Sequence, residues 1–298
     1  MNHADNLRLA EKGAWLSIFT YLTLAIIKLW IANWGNSVAL RADGLNNTTD
    51  VIASIAILVG LRISQKPPDD NHRYGHYRAE TIASLFAAFI MMFIGIQVIY
   101  DTIKKIIFFE AQQPNMLTAW TALGSAAIMF LVYIYNHRLS QKLNSSALFA
   151  AAQDNRSDAL VSIGAFIGII GAQVGLYWLD PLTGTIVGLI ICKTAFDIFK
   201  DATLTLTDAY DEDELKLIKE SIEIVSEVKE VADIKGRVHG SQALIELTIL
   251  VNANLTVESS HRVTERIERY LAQKHSVTHA HIHIEPFYPL DNEKSVED

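Results

Sequence analysis

Asn46 and Asp50 stand four residues apart in one apolar stretch of the 298-residue chain, and Asp154 and Asp158 repeat the spacing in another. On a helix, residues i and i+4 project from the same face, so each pair would present two oxygen-bearing side chains in one direction. Carboxylates inside a lipid-embedded segment are costly unless they are partnered or functional. Facing each other, the two pairs would make a cation site with four oxygen ligands. Three carboxylates and one amide are hard donors, a set that suits Mn2+, Mg2+ or Ca2+ better than Zn2+ or Cu+. Zn2+ accepts carboxylate but usually recruits His or Cys.

Helix capping, bound water or a nearby base are the alternatives for these pairs. Arg156 is the obvious base, yet two residues along a helix turn it about 200° away from Asp154. Asp43 extends the first stripe through Asn46 and Asn47. It would serve as a supporting or entry group, or snorkel into solvent, and the solvated position is the expectation.

Other side chains with metal-binding chemistry lie outside the apolar stretches. Asp69, His72 and His76 have spacings that a short helical turn would gather, although a solvated surface loop fits as well. Near the C-terminus, His279, His281, His283 and Glu285 alternate with Ala280, Ile282 and Ile284, which puts three imidazoles and a carboxylate on one face of a strand. A solvated polar face and a metal site both fit that pattern. His275 is read as an ordinary helix-end residue.

The elements that must position these groups follow from hydropathy. Half of the chain is hydrophobic. Runs near 20 residues predict six spans at roughly 13–34, 37–63, 79–103, 116–137, 145–177 and 181–204. Residues 207–298 read as ordinary soluble sequence and hold 19 acidic against 10 basic side chains, leaving 14 against 15 in the rest. The net charge of −8 therefore belongs to the C-terminal part. That acidity argues against nucleic acid as a partner, and either concentrates cations locally or keeps the surface soluble. Cys192 is the only cysteine, which excludes an intrachain disulfide and a Cys-rich metal site and suits inert packing. The N-terminus lacks the pattern of a cleaved signal peptide, so the first span is expected to remain.

Arg62, Lys66, Arg73 and Arg78 follow the second span, and Arg138 and Lys142 follow the fourth. The alternate connections carry little charge apart from Lys104 and Lys105. The positive-inside rule then places both termini in the cytoplasm. With that orientation Asn46 and Asp50 lie roughly 14 and 20 Å from the outer start of their helix. Asp154 and Asp158 lie equally far from the inner start of theirs, so all four share the middle layer of a core roughly 30 Å thick.

After the spans, residues 211–227 read as a helix opened by acidic groups that suit its dipole. Strands at 231–239 and 243–251, separated near Gly240-Ser241, a helix at 256–273 and a strand at 277–285 complete an αββαβ order. The expected fold is an α-helical membrane protein of six transmembrane helices with both termini cytoplasmic, followed by a small α+β, ferredoxin-like cytoplasmic domain. The expected divisions are 1–206, 207–290 and a disordered tail at 291–298.

The chain resembles the cation diffusion facilitators, divalent-metal/proton exchangers with six spans and a cytoplasmic domain, over nearly its whole length. The resemblance is carried by Ala42-Asp43-Gly44-Leu45-Asn46-Asn47-Thr48-Thr49-Asp50, by Asp69-Asp70-Asn71-His72-Arg73-Tyr74-Gly75-His76-Tyr77-Arg78-Ala79-Glu80, and by Gln153-Asp154-Asn155-Arg156-Ser157-Asp158. It implies that Asn46, Asp50, Asp154 and Asp158 are the transport site. Zinc-transporting relatives usually have His at the first position of one or both pairs, so Asn46 with Asp154 resembles the manganese-exporting branch. It also implies a peripheral metal site at Asp69, His72 and His76, and an intersubunit charge interlock between Arg78 and Asp208. In the cytoplasmic dimerisation and metal-sensing domain it implies metal bound by His261, His283 and Glu285. Of the family's remaining ligand positions there, one is Thr248 and another falls at Ala232 or Asp233, a departure for which His239, His279 or His281 would be the substitutes.

The expected protein is a homodimeric secondary transporter of a bacterial cytoplasmic membrane. It would export Mn2+ in exchange for protons by alternating access, without a cofactor and without enzymatic activity. No G-x-x-x-x-G-K-[ST] loop is present, which leaves an ion gradient as the energy source. The same fold exporting Zn2+ or Fe2+ is the nearest alternative. A membrane metal sensor is the alternative from another class, and a metal-dependent hydrolase is disfavoured by the lack of H-E-x-x-H or G-x-S-x-G.

Overall fold

The computed structural model describes residues 3–108, 113–143, 146–239, 242–275, 277 and 279–288. The Gly240-Ser241 turn and the expected tail at 291–298 lie outside the described residues. The chain divides into two compact units, residues 1–59 with 83–199 and residues 60–82 with 200–298.

Among the described residues, the first unit holds all or most of six long helices: α1 (His3–Gly35), α2 (Val38–Ser64), α3 (Arg78–Ile107), α4 (Met116–Leu143), α5 (Ser146–Gln173) and α6 (Leu179–Leu206). Among the described residues, five of them (α1, α2, α3, α4 and α6) contain stretches long and apolar enough to cross a membrane. The helix α5 falls outside that set because Asp154, Arg156, Ser157 and Asp158 make its first half polar. It also ends at Gln173, short of the expected 177. Gly175 takes φ +100°, and the Leu176 N–H donates to Gly171 O at 3.0 Å, a Schellman closure that only a residue tolerant of positive φ makes cheaply.

This unit is apolar on the outside. Phe19, Ile26, Trp30, Phe86, Phe93 and Ile96 are exposed, while Ala32, Ala39, Ala119, Ala122 and Ala165 pack inside with Leu40 and Ile169. Small residues let helices approach closely where lipid offers no hydrophobic drive to associate. The contact between α3 and α6 shows this: a Cβ added to Gly95 would lie 2.6 Å from Cys192 Sγ. Cys192 thus fills a packing role, as its surroundings in sequence suggest.

The second unit contains α7 (Glu212–Glu223), β1 (Val228–His239), β2 (Gln242–Asn252), α8 (Val257–Lys274) and β3 (His279–Phe287). Asp211 caps α7 by accepting from the Glu214 N–H at 2.9 Å, and Thr256 caps α8 through the Ser259 N–H at 3.2 Å. The sheet order is β1-β2-β3, with β2 antiparallel to β1 and parallel to β3. A parallel pair needs a crossover, and α8 supplies it. Ile218, Ile222, Ile245, Ile249, Ile267 and Leu271 form a core between sheet and helices. This is the αββαβ order expected from the sequence, with the first helix ending four residues early at a turn closed by Val228 N–H on Val225 O.

Candidate metal centre

The face of α2 that carries Asn46 meets the face of α5 that carries Asp158. Asn46 Nδ2 donates to Asp158 Oδ1 at 2.9 Å and lies 3.5 Å from Asp50 Oδ2. Asn46 and Asp158 are buried, and Asp50 is half-buried. The buried Tyr21 of α1 hydrogen-bonds Asp158. Three of the four predicted groups therefore converge. Asp154 is exposed and stands apart, one turn nearer the start of α5. Mutual repulsion disfavours packing a third carboxylate against the other two.

The Asn46 amide presents its N–H2 to the carboxylates, the position that a cation would take. A 180° turn of the amide exchanges those donors for Oδ1, so one side chain can either bridge two carboxylates or ligate a metal with them.

Asp43 is where the structure overturns an expectation. It is wholly buried and pairs with Lys28, whose Nζ lies 2.9 Å from Asp43 Oδ1 and is itself wholly buried. Lys28 also donates to Asn47 Oδ1 at 2.7 Å and to Ser162 Oγ at 3.0 Å. The Ser162 hydroxyl in turn donates to Asp43 Oδ1 at 3.2 Å. A lone charge in that position could only snorkel; a counter-charge from another helix makes burial affordable. The sequence carries one signal for this: Lys28 is the only charged residue between Trp15 and Gly35.

Two further buried groups hold the helices in register. Asp180, near the start of α6, accepts from Ser37 Oγ and from the Val38 N–H, both at 2.7 Å, and so caps α2 from a neighbouring helix. A carboxylate there satisfies orphan donors and meets the positive end of the α2 dipole. Ser17 Oγ accepts from Asn136 Nδ2 at 2.9 Å and from Asn155 Nδ2 at 3.0 Å, linking α1, α4 and α5.

Between α2 and α3, Asp69, His72 and His76 bring one ligand atom each within 4.8 Å of one another. Among the described residues this is the only such group of three His, Cys, Asp or Glu side chains. The segment forms turns, not the helical turn expected. Asp69 Oδ1 accepts from the His72 N–H at 2.7 Å and the Asn71 N–H at 3.0 Å, so the backbone folds round the carboxylate. His72 Nδ1 lies 3.1 Å from Asp69 Oδ1, and His76 Nε2 lies 3.4 Å from Oδ2. The His72 backbone N–H, with lesser help from its side chain and from Asn71, holds the Asp69 carboxyl below the usual carboxylate range.

Arg78 and Asp208 form an ion pair at 2.5 Å within one chain, where the resemblance implies a contact between subunits. Asp208 follows α6 in the left-handed region at φ +59°, which aims its carboxylate at the first residue of α3. Both side chains are partly exposed.

On β3, His279, His281, His283 and Glu285 are exposed, and Ile282 and Ile284 pack on the core, as the alternation requires. His283 lies 3.5 Å from Glu285, whereas His261 sits on α8 3.5 Å from Glu265. His239 and His281 line one cavity of about 720 Å³ with His279, Arg73, Arg237 and Glu246. None of these histidines joins a three-ligand group among the described residues of one chain. Burial, followed by the Arg78 and Arg237 charges, pushes the His239 imidazole down.

Comparison with known proteins places both parts of the chain. Residues 14–207 match the cation efflux transmembrane domain, and residues 210–287 match the cytoplasmic domain of cation efflux proteins. The manganese efflux system protein MneS of Bacillus subtilis (strain 168) is 50% identical over 286 residues, 96% of this chain and 99% of that protein. The uncharacterized transporter YdbO of the same organism is 51% identical over equal shares. A solved structure of CzrB covers 27% of this chain and all of its own at 30% identity, with a TM-score of 0.26.

Proposed function

The chain belongs to the cation efflux family of membrane metal transporters, and from that premise we propose that it exports Mn2+ in exchange for protons through Asn46, Asp50, Asp154 and Asp158. The observation that carries the residue assignment is the cross-helix contact of Asn46 with Asp158, which joins one member of each pair inside the bundle. The family's members are transporters, not enzymes, and need no cofactor. Half-identity to a manganese efflux protein supports the choice of metal, as do four oxygen donors without imidazole or thiolate.

In this reading all six long helices span a bacterial cytoplasmic membrane, with both termini in the cytoplasm. The exposed Asp154 meets Mn2+ first, from the cytosolic side of α5. The ion then passes to Asp158 and Asp50, and the Asn46 amide turns to offer Oδ1. Protons and metal compete for the same carboxylates, so proton entry from the outer side releases the ion and resets the site. Rocking of the bundle exposes the site to each side in turn.

The cytoplasmic domain serves homodimerisation. Asp69, His72 and His76 form a peripheral metal site, and Arg78 with Asp208 braces the connection to α7. A metal at His261, His283 and Glu285, or at His239 and His281, would require ligands from the second copy.

Flux of Mn2+, Zn2+ and Fe2+ into proteoliposomes under an imposed proton gradient tests the function. The expected result is Mn2+ flux that rises with the gradient. Zn2+ or Fe2+ flux without Mn2+ flux would overturn the choice of metal, and Mn2+ flux indifferent to the gradient would overturn antiport.

A further inference from the structure

Lys28, Asp43, Asn47 and Ser162 form a second polar cluster inside the bundle, distinct from the four proposed ligands. Its oxygens are Asp43 Oδ1, Asn47 Oδ1 and Ser162 Oγ, all within 3.0 Å of Lys28 Nζ. Asp43 and Ser162 are wholly buried, and Asp43 Oδ2 is buried with no hydrogen-bond partner. One carboxylate, one amide oxygen and one hydroxyl converging on a point are the donors of a hard-cation site. Here the cation is the chain's own ammonium.

The cluster is also placed to matter. Asp43 precedes Asn46 by three residues and Ser162 follows Asp158 by four, so the two sites are stacked one turn apart along the same pair of helices. That is a separation of roughly 5–6 Å along the axis. Two divalent ions so close in a low-dielectric interior would repel strongly.

We propose that Asp43, Asn47 and Ser162 are an oxygen-lined divalent-cation site plugged by the tethered ammonium of Lys28, which acts as a positioning residue confining the bundle to one transported ion. The plug neutralises Asp43 without releasing it to metal, and it fastens α1 to both helices that carry the transport pairs. The inference rests on the transport reading of the neighbouring site only for the ion that is offered.

The test is Mn2+ binding to the purified full-length protein by equilibrium dialysis, with the parent, Lys28→Ala and Lys28→Ala/Asp43→Ala side by side. Lys28→Ala is expected to bind one more Mn2+ per chain than the parent, and the double variant to lose that extra ion. A folded Lys28→Ala with the parent's count overturns the proposal, as does an extra ion that persists without Asp43. The same gain of thermal stability from Na+ or K+ as from Mn2+ overturns the divalent assignment. If Lys28→Ala folds only with Mn2+ present, the metal is replacing the ammonium, as proposed. If it stays unfolded in saturating Mn2+ while the double variant folds, the oxygens do not hold metal and the proposal falls. Flux of the Asp158→Ala variant reads the transport assignment separately, and its failure leaves the added-ion result standing.

Discussion

The carboxylates inside the helical bundle and the carboxylate of the α2–α3 connection are the same chemical group under opposite constraints. Asp43, Asp158 and Asp180 are buried, and each is met by Lys28, by Asn46 and Tyr21, or by Ser37 and the start of α2. Asp69 is exposed and meets two imidazoles and two backbone N–H groups within its own turn. Inside a lipid-facing bundle an unmatched charge is intolerable, so each partner comes from a different helix and each pairing shapes the fold. In the exposed loop water screens the charge, and a cluster can form or fail with little consequence for the rest of the chain.

The largest effect is expected for Asp158→Ala. Losing a buried carboxylate that is proposed as a ligand and also holds Asn46 and Tyr21 should lower Mn2+ flux about 100-fold or more, since even the groups that only support a metal ligand are worth 10–100-fold. Flux within a few-fold of the parent would show that burial there is structural. Asn46→His comes next: an imidazole among three carboxylates should move the Zn2+ to Mn2+ flux ratio toward zinc by about tenfold. An unchanged ratio in the competition assay would sink the account of selectivity while leaving transport intact.

Asp180→Ala should cost about 1–2 kcal/mol by uncapping α2, lowering the thermal midpoint by several degrees without changing metal preference. For the exposed cluster, His72→Ala/His76→Ala should remove one weakly held ion while flux stays within about threefold, because the loop lies outside the bundle. Because the His72 N–H holds Asp69 below the usual range, its contribution is complete above the ordinary Asp value. It is lost only as pH falls through the lowered one. The smallest effect is expected for Arg78→Ala, about 0–1 kcal/mol in thermal unfolding, since the ion pair is partly exposed. A larger loss would mean that this exposed pair behaves like the buried ones.

Much of the architecture was legible from local pattern. Long apolar runs marked the helices, and period-two alternation put the β3 histidines on the exposed face. Asp211 and Thr256 sit at the helix starts where caps belong. The end of α5 was not legible, because Gly175 lies inside a run that still reads as apolar. The loop cluster was half legible: spacing brought Asp69, His72 and His76 together, but by an Asx-type turn and not by a helix. Asp43 was misread, since the one positive charge within a helical turn of it, Arg41, is turned about 200° away and pairs with Asp101, while its actual partner Lys28 lies on another helix. Arg78 with Asp208 was identified as a pair, but its closure within one chain depends on the left-handed backbone of Asp208.

Primary structure is enough to say which donors stand one turn apart: Asn46 with Asp50, and Asp154 with Asp158. Covalent spacing and helical periodicity are local properties, so that much survives any arrangement of the helices. Tertiary structure alone decided that Asp158 faces Asn46 across 112 residues of chain, and that Lys28 reaches Ser162 across 134. It also decided that Asp154 stays exposed. Such pairings follow from which helix faces pack together, and packing is a property of the whole bundle.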